Sequence, residues 1–520
     1  MSSPARSLAC IVLALTAVLH AQAPAVRAPQ PETRARRAYE AAVKAGPLAL
    51  HAFLAEFPKG ADLHVHLAGA VYAESFIRAA GEDGLCVDPT ALSFAKPPCV
   101  GQLLPAAQVP ANQELYARLI DAFSMRSFVP TSGFSGHDHF FATFGRFEGL
   151  GKRHTGEWVD EIASLAAAQN QQYLELMQTP PFTHAAQIAR EVGWDPEFDE
   201  FRKLLLDHGL RDEVATDRDE VRSAEAERRR IEHCGTPQAA PACRVEIRYI
   251  YQILREFPPE QVFAQTLLGF ETIQQSLDAE ESGGHEGGFV GINFVQPEDG
   301  FISMRDYNLQ MKMLDYLHSV YPQVYISLHA GELAPGLVPP EGLRFHIRQA
   351  VELGHAERIG HGVDVMYEDD APALLKELAQ KHVMIEVNLS SNDSILGIVG
   401  AGHPFANYRA AHVPVALSTD DEGVSRIDLT HEYVRAALDY HLSYLDLKQM
   451  ARTGMEHNFL PGKSLWAEED DFAIPAPTCR GQLPGQEKPT SACQNFLDSS
   501  EKASAQWELE RRFRAFEARF

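Results

Sequence analysis

Four short stretches, far apart in the chain, each carry residues that can bind or serve a metal. They are Leu63-His64-Val65-His66, His329-Ala330-Gly331-Glu332, His361-Gly362 and Ser418-Thr419-Asp420-Asp421. Three histidines and a carboxylate form a nitrogen and oxygen donor set of the kind zinc takes. Glu332, three residues after His329, is placed to shuttle a proton. The combination points to a metal-activated water attacking an electrophilic carbon.

Such a set must be positioned by elements that end near one another. From Lys59 onward, short apolar runs alternate with longer amphipathic segments. The runs 61–67, 171–177, 245–251, 288–295, 324–329, 358–363, 383–389 and 414–419 read as strands with helical segments between most of them. That alternation predicts parallel strands joined by crossover helices, an α/β fold. Eight such units closing on themselves give a TIM-type (β/α)8 barrel. The four stretches then fall at the C-terminal ends of the first, fifth, sixth and eighth strands, the end where barrels carry their active sites.

His64 and His66 are two apart, so on a strand both rings face the same way. The small Ala330 and Gly331 let a ligand approach the backbone after His329. Gly360 and Gly362 flank His361 and imply close packing there. Consecutive carboxylates on a strand point to opposite faces, so one of Asp420 and Asp421 suits a metal and the other a substrate. The same pair would also suit a helix N-cap. His346 and His355 fall in the helical segment before the sixth strand and read as structural.

These strings resemble the adenosine/AMP deaminase family of the metal-dependent amidohydrolase superfamily. The likeness covers roughly residues 58 to 462 and is carried by Pro58 to Leu67, His329-Ala330-Gly331-Glu332, Arg358-Ile359-Gly360-His361-Gly362, Asn388-Leu389-Ser390-Ser391-Asn392 and Leu417 to Asp421. The resemblance implies one zinc ion per chain on His64, His66, His329 and Asp420. It implies a water whose pKa falls from about 15.7 toward about 7, oriented or deprotonated by His361. Glu332 would protonate purine N1, Asp421 would hydrogen-bond N7, and the Gly331 backbone would lie against the base. The implied reaction is hydrolytic deamination of adenosine or 2'-deoxyadenosine to inosine or 2'-deoxyinosine, with release of ammonia. Binuclear amidohydrolases use a bridging lysine at the end of the fourth strand. The stretch Gly288 to Gln296 has none, which favours a single metal. Phe140 and Phe144 resemble the lid-helix aromatics that cover the ribose, and their spacing equally suits packing within a helix. His137 and His139 read as a loop feature near the pocket.

The chain departs from the family pattern at three places. Ala68 stands where an acidic residue binds the ribose 5'-hydroxyl. Asn293 and Gln296 stand where an aspartate and a glycine are usual. Glu422 follows the aspartate pair where proline is common. These departures leave open a 5'-modified or N6-substituted adenine nucleoside, or another amine. A barrel that has lost catalysis and serves as an extracellular binding or signalling protein is a third reading, and the intact Glu332 and His361 oppose it.

The bulk properties fit a small substrate. The chain has 520 residues, 46 Lys and Arg against 71 Asp and Glu, and a formal charge of -25. That surface repels phosphate backbones and argues against nucleic-acid polymers. Arg6, the apolar run Leu8–Leu19 and Ala21-Gln22-Ala23 read as a signal peptide over residues 1–23, too short to span a bilayer. Beyond Cys10, six cysteines fall into three local pairs, Cys86/Cys99, Cys234/Cys243 and Cys479/Cys493. They read as disulfides of an exported protein, periplasmic or secreted. With the family resemblance, these features suggest the secreted, growth-factor-like branch. Residues 24–57 read as an N-terminal segment, flexible to 35 and helical over 36–57. The barrel then spans 58–466 with an insertion at about 84–145, and an extension covers 467–520. Arg211–Arg230 reads as a solvated helix.

Overall fold

The computed structural model describes residues 30–281 and 288–520, so the expected signal peptide lies outside the described residues. Eight strands form one sheet in sequential order: β1 Gly60–His66, β2 Gln171–Gln178, β3 Glu246–Leu254, β4 Phe289–Val295, β5 Tyr325–Ala330, β6 Arg358–His361, β7 Met384–Val387 and β8 Val415–Leu417. Every neighbouring pair is parallel. Each strand lies where the sequence placed it, with shifted ends. Parallel strands covered by helices are buried on both faces, which is why β4, Phe-Val-Gly-Ile-Asn-Phe-Val, is buried throughout.

The barrel closes between β1 and the end of β8 at a narrow seam. Val65 bridges Asp420 in parallel register. His66 N–H donates to the Asp420 carbonyl at 3.0 Å and Asp420 N–H to the His64 carbonyl at 2.9 Å. Just below, Asp62 Oδ2 accepts the Thr419 hydroxyl at 2.8 Å and the Thr419 N–H at 3.2 Å.

The insertion after β1 holds a three-stranded antiparallel sheet, bridged by Cys86–Cys99, and the helices Gln113–Ala122 and Gly136–Phe144. Two sequence expectations are corrected nearer the N-terminus. The single helix expected over 36–57 is two, Pro31–Ala45 and Pro47–Ala55. Gly46 at φ +107 and Pro47 force the break. Residues 31–35, expected to be flexible, form the first turns because Pro31 suits a helix start. The charged run 211–230 is also not simply solvated. It forms a 3-10 turn and the helix Val214–Ile231, and one face is buried. Asp217 accepts the Tyr251 hydroxyl at 2.7 Å, and Arg228 meets both Glu225 and Glu232.

The C-terminal extension folds back on the barrel. A hairpin, Trp466–Glu468 with Asp471–Pro475, leads to helices Ser491–Asp498 and Glu501–Glu517. Phe513 and Phe516 of the last helix pack edge-on against Phe57. Leu465, Trp466, Phe472, Leu497 and Trp507 form a small separate core around the Cys479–Cys493 bridge. That bridge spans a sequence separation of 14, and closing a loop of this size contributes about 3 kcal/mol. Cys493→Ser is therefore expected to speed amide hydrogen exchange across 466–498 and leave the barrel strands protected. Equal exchange in both proteins would show that the small core holds without the bridge.

Candidate metal centre and active site

The strand ends bring His64, His66, His329 and Asp420 together, with one ligand atom of each within 4.8 Å of the others. His66 Nε2 lies 3.2 Å from Asp420 Oδ1 and 3.2 Å from His329 Nε2, and His64 Nε2 lies 3.5 Å from Asp420 Oδ1. The opposite nitrogen of each ring is engaged. His64 Nδ1 meets Glu386 Oε2 at 2.6 Å, His66 Nδ1 meets Gln252 Oε1 at 2.8 Å, and His329 Nδ1 meets Asn293 Oδ1 at 2.6 Å. An acceptor at each Nδ1 holds the hydrogen there and leaves the Nε2 lone pairs converging on one point. His64 Nε2 is buried without a hydrogen-bond partner. Three imidazole lone pairs and one carboxylate, all converging, fit a divalent metal such as zinc.

Electrostatics favour a neutral His329 and an anionic Asp420. Burial pushes His329 well below the ordinary histidine range, helped by the neighbouring histidines, so it stays neutral. Burial would raise Asp420, but hydrogen bonds from His64 and His66 hold it well below the usual carboxylate range. Burial opposes a proton on His64, yet Asp420 and Glu386 raise its pKa to about 10, so a metal bound there would take the place of that proton.

Asp420 and Asp421 are not on the strand, contrary to the sequence expectation. β8 ends at Leu417, and Asp420 adopts φ +63. The left-handed turn, rather than strand alternation, separates the two carboxylates. Asp421 occupies the N-cap position of a short helix, Glu422–Ser425, yet makes no side-chain cap bond. Its Oδ1 is buried and unpartnered. A Cβ on Gly69 would stand 1.4 Å from that oxygen, so only glycine fits opposite Asp421. Burial and the adjacent Asp420 carboxylate push Asp421 well above the usual range, which favours its neutral form.

Glu332 sits on the turn after β5, and Glu298 holds that turn. Glu298 Oε1 accepts the Gly331 N–H at 3.0 Å, and Oε2 accepts the Glu332 N–H at 2.7 Å. His346, expected to be structural, contacts Glu298 Oε1 at 2.5 Å. Glu332 Oε1 is buried without a hydrogen-bond partner and lies 3.6 Å from His361 Nδ1. Burial, then the Asp420 and Glu298 carboxylates, push Glu332 well above the usual range, so its proton-bearing form is favoured. His361 Nε2 faces Asp420 Oδ2 at 3.9 Å. Burial lowers His361 to about 3, leaving it neutral. A Cβ on Gly360 would come within 2.5 Å of His64 Cε1, which is the close packing expected around His361.

The aromatic neighbours of Phe140 and Phe144 are each other, Phe141 and Phe147, and Phe140 is buried. One sequence reading changes. His137 and His139 lie on the helix Gly136–Phe144 rather than in a loop. His137 Nε2 reaches Asp299 Oδ1 at 2.9 Å, and His139 stacks on Phe128. Gln296, which stands where a glycine is usual, adopts φ +85, and its Oε1 accepts the Glu256 N–H at 2.9 Å.

Several supporting residues carry no role in the sequence reading. Arg358 is fully buried, with Nε 2.6 Å from Glu386 Oε1 and Nη2 2.6 Å from Glu175 Oε2. Its guanidinium lies 3.8 Å from the Phe459 ring centroid. Glu386 is thus shared between Arg358 and His64. One charged residue in the apolar run Met384–Val387 was the available signal. A separate cavity of about 560 Å³ lies at the N-terminal end of the barrel, lined by Tyr325, His382, His457 and Lys502 among others, and includes none of the converging residues.

Residues 237–467 match the family model for adenosine deaminase. The chain is 33% identical over 217 residues to an adenosine deaminase of Serratia proteamaculans, covering 42% of this chain and 56% of that one. It is 32% identical over 235 residues to that of Yersinia pseudotuberculosis, covering 44% and 61%. The chain thus spans between about half and three-fifths of the length of these relatives. Among solved structures, the apo N6-methyl-AMP deaminase from Arabidopsis thaliana shares the fold. Its TM-score is 0.50 at 19% identity, over 79% of this chain and 94% of that one. Among the described residues, no helix is long and apolar enough to cross a membrane.

Proposed function

We propose that the protein is a metal-dependent hydrolytic deaminase of a 6-aminopurine nucleoside, a reading supported by the match of residues 237–467 to the adenosine deaminase family model. Adenosine or 2'-deoxyadenosine would give inosine or 2'-deoxyinosine and ammonia. The observation that carries this reading is the convergence of four donors with Glu332 and His361 turned onto them at one barrel mouth. His64, His66, His329 and Asp420 would hold one zinc ion. When bound, such an ion supplies the Lewis acidity that makes a water nucleophilic at neutral pH.

The chain's own groups divide the remaining work. Glu332, buried and proton-bearing, donates to ring N1 and makes C6 electrophilic. His361 orients the oxygen nucleophile. Asp421, buried and neutral, donates to N7. The Gly331 backbone, fixed by Glu298, forms a wall for the base. Export to an oxidising compartment is the setting of this reading, and the three disulfides support it.

A second reading is favoured by one observation. Ala68 is exposed, just past His66, and offers no carboxylate to a 5'-hydroxyl. A 5'-modified adenine nucleoside therefore fits the same chemistry. The test is the ultraviolet spectrum of adenosine incubated with zinc-loaded protein. A fall at the adenosine maximum, abolished by a chelator, is expected. No change with metal bound would sink adenosine as substrate and send the assay to 5'-modified and N6-substituted nucleosides.

A further inference from the structure

Resting on the reading above, we infer that Asn392 and His403 are positioning residues that fix the hydrogen of His361 on Nε2, so that its imidazole presents an N–H rather than a lone pair to the reacting atoms. The hydrogen-bond chain begins at a donor that cannot be reversed. The backbone N–H of Phe405 donates to His403 Nδ1 at 3.1 Å. A ring nitrogen that accepts carries no hydrogen, so neutral His403 carries its hydrogen on Nε2. That atom lies 3.1 Å from Asn392 Oδ1 and donates to it. The orientation of the Asn392 amide is thereby set, and its Nδ2 donates to His361 Nδ1 at 2.9 Å. Asn388 Nδ2 approaches the same nitrogen at 3.5 Å. With Nδ1 accepting, the hydrogen of His361 is on Nε2, the atom that faces Asp420 and is otherwise unpartnered.

The alternative arrangement is costly. Turning the Asn392 amide over would require His403 to carry its hydrogen on Nδ1, against the Phe405 N–H. Two donors would then face each other among side chains that are almost wholly buried. Burial, with Arg435 nearby, lowers His403 to about 4, so the ring is neutral and the direction of the chain holds. His361 therefore orients an oxygen nucleophile by donating a hydrogen bond to it and is not the group that takes its proton.

The test uses the full-length, zinc-loaded protein labelled with 15N in its histidines. Two-bond proton–nitrogen spectra separate the two neutral tautomers, and the His361 signal is the one lost in His361→Gln. The wild type is expected to show hydrogen on Nε2. Asn392→Asp can only accept, so it should move the His361 hydrogen to Nδ1. It should also lower kcat at least about tenfold with KM within about threefold, because a wrong tautomer alone is catalytically severe. A wild-type His361 with its hydrogen on Nδ1 overturns the inference, as does an Asn392→Asp variant with unchanged tautomer and kcat. If that variant does not fold, the wild-type spectrum decides alone. The tautomer is read without turnover, so a wild type that deaminates no adenine nucleoside would defeat the functional reading and leave this inference standing.

Discussion

Glu332→Gln is expected to lower the deamination rate by about 10²- to 10⁴-fold, the range for loss of a positioned general acid, with metal content and KM near those of the wild type. The substitution keeps the size of the side chain and removes its transferable proton. The backbone at this position is held from outside the side chain, by Glu298 on the Gly331 and Glu332 N–H groups. The turn should therefore survive the change. Glu332 Oε1 has no hydrogen-bond partner to lose. Steady-state kinetics and metal analysis on the same preparations check the outcome. Activity within about twofold of the wild type would remove Glu332 from the acid role.

Arg358→Met should destabilise the fold by about 3–5 kcal/mol, the cost of leaving buried charges without their partner. Two carboxylates depend on this one cation. Glu175 and Glu386 are both fully buried, and each lies 2.6 Å from the guanidinium. Glu175 also accepts the Tyr173 hydroxyl and the Phe459 N–H, so the loss reaches the segment after the last barrel helix. Glu386 orients His64, so metal should be lost to a chelator more readily than in the wild type. Urea unfolding measures the first effect and chelator competition the second. An unchanged urea midpoint would mean that the carboxylates take up protons at little cost.

Much of this arrangement was legible in the sequence because the barrel strands are apolar runs of limited length. Their ends carry His64, His66, His329 and His361. His64, His66 and His329 follow directly from strand period and strand ends. The aspartate pair did not, because the separating turn depends on Asp420 adopting a left-handed conformation, which spacing does not reveal. Arg358 and Glu386 were silent because an ion pair needs both partners, and these stand on different strands. Phe140 and Phe144 were ambiguous because i, i+4 rings pack on each other whether or not a substrate lies beneath. The break at Gly46-Pro47 was visible in the sequence, yet the apolar spacing across it masks two helices as one.

The narrow seam between β1 and β8 ties the order of folding to the completion of the site. The two sides of the barrel that meet there come from its first and last strands, and the Asp62–Thr419 contact joins residues 357 apart in sequence. Contacts of such separation form late, because the intervening chain must be ordered before they are rewarded. The sheet can grow strand by strand from β1 through β7 with three histidines in place and Asp420 still absent. Only closure delivers the fourth donor, together with Asp421 and the backbone bonds between residues 64–66 and 420. A chain in which this seam has not closed therefore lacks the fourth donor.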